Sequence, residues 1–235
     1  MLSYQVADFL AYDQAIWLSL LRDYQLQWWP LSVVWPVCLV AVILLSATRS
    51  WPVFLLLSVN WAWVGWAFHW RPHLSLNWAA GYWGNTFFAQ AFLLFAAAMI
   101  SYCYHADRKS VFSPGRWYWL VLACGLILPP FLCWVLDGVP PGQGESYGMT
   151  PDAVGLQTLI VLAHLRGSWS GILASGLALL PLLALGVSGV FGHALGLLAP
   201  TILALAGFGA IVGGQISRRW QSSDREQAKI PAKEN

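Results

Sequence analysis

Charge is what this sequence has least of. Of its 235 residues only 9% are Asp, Glu, Lys or Arg, against roughly 25% in an average soluble protein. A soluble domain of this length needs a polar coat, and this scarcity excludes one. The formal net charge of +2 also excludes a nucleic-acid partner held through a strongly basic surface. There is no Walker loop, nucleophile elbow, HExxH or glycine-rich dinucleotide loop, so no catalytic residue is assigned and a non-enzyme is favoured. Cys38, Cys103, Cys124 and Cys133 lie in apolar stretches without CxxC spacing; they read as small buried hydrophobes rather than disulfide partners or zinc ligands. The N-terminal segment has no basic start and has acids ahead of its first apolar run, unlike a signal peptide. No Asp or Glu stands at the middle of an apolar run, which argues against a proton-coupled pump or rotor.

What the chain has in quantity is hydrophobic side chains, 58% of all residues. A helix crossing a hydrocarbon layer of about 30 Å needs about 20 mostly apolar residues. Seven stretches qualify, at 28–47, 51–70, 83–104, 117–136, 151–165, 169–188 and 193–217. The fifth is short and carries Gln157, His164 and Arg166. Ahead of them, residues 4–24 alternate Val6, Phe9, Leu10, Trp17, Leu20 and Leu21 with charged residues near helical spacing. That pattern predicts an amphipathic helix on the membrane surface. The expected fold is an all-α membrane protein: one bundle of about seven transmembrane helices over residues 1–217, with a flexible cytoplasmic tail at 218–235.

Lys and Arg mark cytoplasmic loops. With the N-terminus outside and seven crossings, Arg49, Arg108, Lys109, Arg116, Arg166, Arg218, Arg219, Arg225, Lys229 and Lys233 fall inside, and only Arg22 and Arg71 outside. The expected orientation is therefore N-out, C-in. Many of the 16 tryptophans sit near span ends, where an apolar ring with a polar N–H suits the headgroup level. Trp61 and Trp63 lie deeper and read as helix packing.

Polar groups at membrane depth are costly and so are candidates for function. Asn60, Asn85, Gln90 and Gln157 are such residues; they can form a solute pocket or serve interhelical hydrogen bonds alone. His69 and His73 are four apart at the predicted outer end of the second span, a spacing that can set two imidazoles on one metal if the backbone is helical. Pro72 disfavours helical geometry at Arg71. His193, Asp137, Glu145 and Asp152 fall on the same predicted face, so a metal ion at His69, His73 and His193 competes with ordinary hydrogen bonding to backbone or water. No other cofactor is expected. The Pro129–Pro130 pair predicts a bent or broken fourth span, as in many transporter sites. Gly209 and Gly213 form a GxxxG spacing that favours close helix packing, within the bundle or between copies. Thr150, Pro151 and Asp152 read as N-cap, first helical residue and a charge favourable to the helix dipole.

Trp63-Val-Gly-Trp-Ala-Phe-His69, followed by Leu76-Asn-Trp-Ala-Ala80 and Phe87-Phe-Ala-Gln-Ala-Phe92, resembles a family of uncharacterised bacterial multi-pass membrane proteins. Gly148-Met-Thr-Pro-Asp152 with Leu156-Gln-Thr-Leu159 resembles its later motif. The family bears a domain-of-unknown-function label and its members are loosely called permeases; this chain has Trp78 and Ala153 where the pattern has prolines. The resemblance implies a bacterial cytoplasmic membrane and a multi-helix bundle, and highlights His69, Asn77, Gln90, Thr150, Pro151 and Asp152. It implies no activity. Three functions are consistent with these residues: a small-solute permease or binding protein with an outward-facing polar pocket, an accessory or assembly subunit of a larger membrane complex, and a metal- or quinone-linked redox protein. The partners expected are the lipid bilayer and either another membrane protein or a second copy of the chain.

Overall fold

The computed structural model describes residues 11–45, 49–103, 116–164 and 170–227. Residues 4–10 of the amphipathic segment, the basic residues Arg108, Lys109, Arg166, Lys229 and Lys233, and the tail beyond 227 lie outside the described residues. Among the described residues all regular structure is helical: α1 (Gln14–Gln27), α2 (Trp29–Leu45), α3 (Trp51–Leu76), α4 (Ala80–Cys103), α5 (Arg116–Asp137), α6 (Pro151–Ala163), α7 (Ser170–Ala194) and α8 (Ala199–Gln227). Five helices are long and apolar enough to cross a membrane, and six if α1 and α2 count as one bent span. The chain thus has the architecture of a multi-pass helical membrane protein.

Of the seven expected spans, the first and fifth take a different form. Asp13 caps α1 by accepting the Ile16 N–H at 2.9 Å, and α1 then turns by 74° from α2. Pro30 lies just past the bend; it has no N–H to give, and its ring would press on the Leu26 carbonyl in a straight helix. The fifth is only 13 residues, Pro151–Ala163, about 20 Å at 1.5 Å per residue and short of a 30 Å layer. Every residue of α6 from Asp152 onward is buried. The Pro129–Pro130 pair does not break its helix, since α5 runs unbroken from Arg116 to Asp137. The last helix continues past residue 217 to Gln227.

The bundle divides into α1–α4 and α5–α8, which meet where α3 touches α6 and α4 touches α7. Glycines set the close approaches. A Cβ on Gly84 would stand 2.3 Å from the Trp70 ring and 3.2 Å from the Gly65 carbonyl, so α3 and α4 cross almost backbone to backbone. A Cβ on Gly214 would lie 2.8 Å from the Ala163 carbonyl, and one on Gly207 2.9 Å from Leu159, so α8 lies directly on α6. Gly209 and Gly213 have nothing within 4 Å of their Cβ positions. The face of α8 that packs in the bundle therefore carries Gly207 and Gly214, seven residues or about two turns apart, and the GxxxG pair points outward.

Buried polar groups tie the halves together. Trp61 of α3, fully buried, donates its indole N–H to the Thr158 hydroxyl of α6 at 2.9 Å. Gln90 of α4 donates to the Leu177 carbonyl of α7 at 2.9 Å. The α5–α6 loop folds back onto α1 and α2: Gln25 donates to the Gly144 carbonyl and to the Ser146 hydroxyl, each at 2.8 Å. Gly148, at φ +77°, packs so tightly on Trp35 that a Cβ would meet its ring at 2.3 Å. Asp137, at the end of α5, caps α8 by accepting the backbone N–H groups of Leu198 and Ala199 at 2.8 and 3.3 Å.

Candidate functional site

At one end of the seam between the halves is a cavity with about 620 Å³ of empty space, its open mouth included. Tyr12, Trp17, Phe68, Trp83, Phe87 and Phe191 supply aromatic walls; His69, His73, Glu145, Asp152 and Ser188 supply the polar groups. Among the described residues no Lys or Arg lines it.

The histidines are placed by an unusual stretch of α3. From Gly65 to His73 the helix is wound as a π-helix, and the Leu74 N–H reaches back five residues to the His69 carbonyl. Pro72 is the physical reason: without an N–H, and with a ring that would press on the Phe68 carbonyl, it cannot continue an α-helical ladder. The wider turn accommodates it, so Pro72 changes the winding rather than ending the helix. π-Turns of this kind concentrate at functional sites. His69 and His73 both end up buried, with their Nδ1 atoms 3.4 Å apart. The Tyr12 hydroxyl lies 2.9 Å from His73 Nε2. Burial pushes the Tyr12 phenol up to about 12, so it keeps its proton and can donate it to that nitrogen. His73 then donates from Nδ1 to His69 Nδ1, which leaves the His69 Nε2–H as a buried donor with no protein partner.

The acids come from the opposite half. Thr150 holds the extended geometry of an N-cap but makes no cap hydrogen bond; its hydroxyl donates to the Ser146 carbonyl at 3.1 Å. The Glu145 carboxyl lies at this helix end, close to Thr150 and to the backbone of Ala153. Glu145 is only 3% exposed, and its Oε2 has no partner. Burial first, and then the Asp152 charge, hold its carboxyl well above the usual range. Asp152, also buried, accepts the Ser188 hydroxyl at 2.7 Å on Oδ2, while its Oδ1 has no partner. Three buried polar atoms, on His69, Glu145 and Asp152, thus lack protein partners among the residues that line one cavity.

The other sequence candidates are placed elsewhere. Asn60 and Gln157 are fully buried without protein hydrogen bonds, away from the cavity walls; Gln157 rests against Gly125. Gln90 bridges α4 to α7. Asn85 is exposed. Asn77 accepts the Ala79 N–H at 2.9 Å and turns the chain into α4. His193 is exposed and does not line the cavity. Among the described residues no three His, Cys, Asp or Glu side chains stand close enough to hold a metal ion, so His69 and His73 form a hydrogen-bonded pair without a third ligand. Sequence reasoning placed Glu145 on the same face as the histidines without assigning it a role, and did not single out Ser188 or Tyr12. Glu145 lies in a Gly/Pro-rich run that reads as a solvated loop, and Ser188 in a run of small apolar residues. Neither carries a local signal of burial.

The chain matches no family model, no curated protein and no solved structure.

Proposed function

We propose that this chain is a small-solute permease or solute-binding protein of a bacterial cytoplasmic membrane, N-out and C-in, with the cavity facing outward. The observation that supports this reading is the cluster of three unpartnered buried polar atoms, on His69, Glu145 and Asp152, around one aromatic-walled cavity. A buried polar group without a partner costs about 1–3 kcal/mol, and a solute that completes its hydrogen bonds recovers that cost. A cavity between two packed halves is also a common place for such a site. The orientation rests on the Lys and Arg distribution, and the bacterial membrane on the motif resemblance. Native mass spectrometry of gently extracted protein tests the reading. A small molecule retained by the wild type and lost from Asp152→Asn is the expected result. A stoichiometric complex with another protein and no small molecule would overturn it in favour of an accessory subunit. That alternative draws on the outward Gly209–Gly213 face of α8.

A further inference from the structure

We infer that the cavity takes a small organic cation, an amine or quaternary ammonium, whose charge is met by Glu145 and Asp152 and whose body lies against the aromatic walls. This inference rests on the solute-pocket reading above and adds the chemical class. Glu145 and Asp152 are each 3% exposed, both line the cavity, and each keeps one carboxyl oxygen without a partner. Among the described residues no Lys or Arg lines the cavity, and the only ion pair is Arg22 with Asp23, elsewhere. An anion would meet two acids and no base there. A neutral solute fits only while both carboxyls stay protonated, a case that 2-phenylethanol separates from a cation. A chelated metal ion would find no third ligand among the described residues.

The walls discriminate between the remaining cations. Trp17 stacks on Tyr12 at 5.6 Å and meets Phe68 edge-on at 5.8 Å, and both rings line the cavity with Phe87. Aromatic faces attract cations through their quadrupole and favour those with apolar bodies. The histidine pair is compatible with such a guest, because imidazoles sharing a hydrogen bond between their Nδ1 atoms need carry no charge.

Cation and proton compete for the same oxygens. The titratable groups around Glu145 are Asp152 on α6, Asp137 and Cys133 on α5, and across the cavity His69, His73 and Tyr12. Burial favours the protonated carboxyl, so a cation must displace a proton, and its affinity must rise with pH.

Full-length protein in detergent is titrated with tetramethylammonium and phenethylammonium chlorides. The controls are 2-phenylethanol, phenylacetate, and sodium chloride at equal ionic strength; tryptophan fluorescence and thermal unfolding are the readouts. The expected result is saturable binding of the ammonium probes, weakened at least about tenfold in Asp152→Asn and Glu145→Gln. Equal binding of 2-phenylethanol overturns the cation and leaves the solute pocket standing. Full reproduction of the effect by sodium chloride overturns an organic guest. No saturable binding by any probe, with no co-purifying molecule, overturns the pocket as well. Should the variants not fold, the wild type decides: its affinity for tetramethylammonium must rise about tenfold or more between roughly pH 5 and pH 8, and a flat profile overturns the inference.

Discussion

Glu145 is held under the N-terminal turn of α6, where burial and the neighbouring Asp152 oppose its ionisation. The folded protein therefore binds this proton more tightly than the unfolded chain, in which glutamate titrates near pH 4.3. The corresponding stability is fully present below that value and is lost as pH rises through the higher folded value. Glu145→Gln is neutral at every pH and escapes the loss. Thermal unfolding followed by tryptophan fluorescence should show the variant more stable than wild type at about pH 8, with the gap closing towards about pH 4. A gap independent of pH would mean that Glu145 titrates in the folded protein as it does in the unfolded chain. The same substitution removes the charge proposed to hold the guest, so stability and ligand affinity should move in opposite directions, a combination that general damage to the fold does not produce.

Helix α8 makes an equally direct comparison. Gly214 lies against backbone atoms of Ala163 at 2.8 and 2.9 Å from a would-be Cβ, whereas Gly213 faces open space. Gly214→Ala should destabilise the protein by about 1–3 kcal/mol, as overpacking does. Gly213→Ala should be neutral, or gain up to about 1 kcal/mol from helix propensity. Equal losses in thermal unfolding would mean that the outward face is also packed, against a second copy or another protein. This difference between adjacent glycines marks where sequence reasoning stops. Apolar runs of about 20 residues locate helices because hydrophobicity is summed along the chain, and α3, α4, α5, α7 and α8 were all legible in that way. GxxxG spacing identifies a smooth stripe but not what faces it, so the glycines that pack, Gly207 and Gly214, were not singled out. His69, His73 and Asp152 were legible because polar residues stand out against apolar runs. Their convergence with Glu145, Ser188 and Tyr12 was not, because it depends on a π-turn and a buried loop that leave no periodic trace.

For the molecule as a whole, the proposed orientation carries its own test. A fluorescent protein fused after Asn235 should fold and fluoresce in the cytoplasm of a bacterial host, and alkaline phosphatase fused at the same point should stay inactive. The opposite pair of results would place the cavity on the inner side and reverse the direction from which any solute enters. In either orientation α6 has an electrical consequence. At 13 residues it is about 20 Å long, two-thirds of a 30 Å hydrocarbon layer. Above its N-terminus the structure places the cavity and a loop rather than more apolar helix. With the bundle in a bilayer, water in that mouth and the Ala163 end at the opposite surface, most of a membrane voltage would fall along α6 instead of across the full layer, and the local field would be about 1.5 times stronger. Moving one charge through 100 mV changes its energy by about 2.3 kcal/mol. A charge at the level of Asp152 would then stand almost at the potential of the adjoining solution, and its binding there would be nearly insensitive to voltage, while any passage along α6 would carry nearly the whole electrical work.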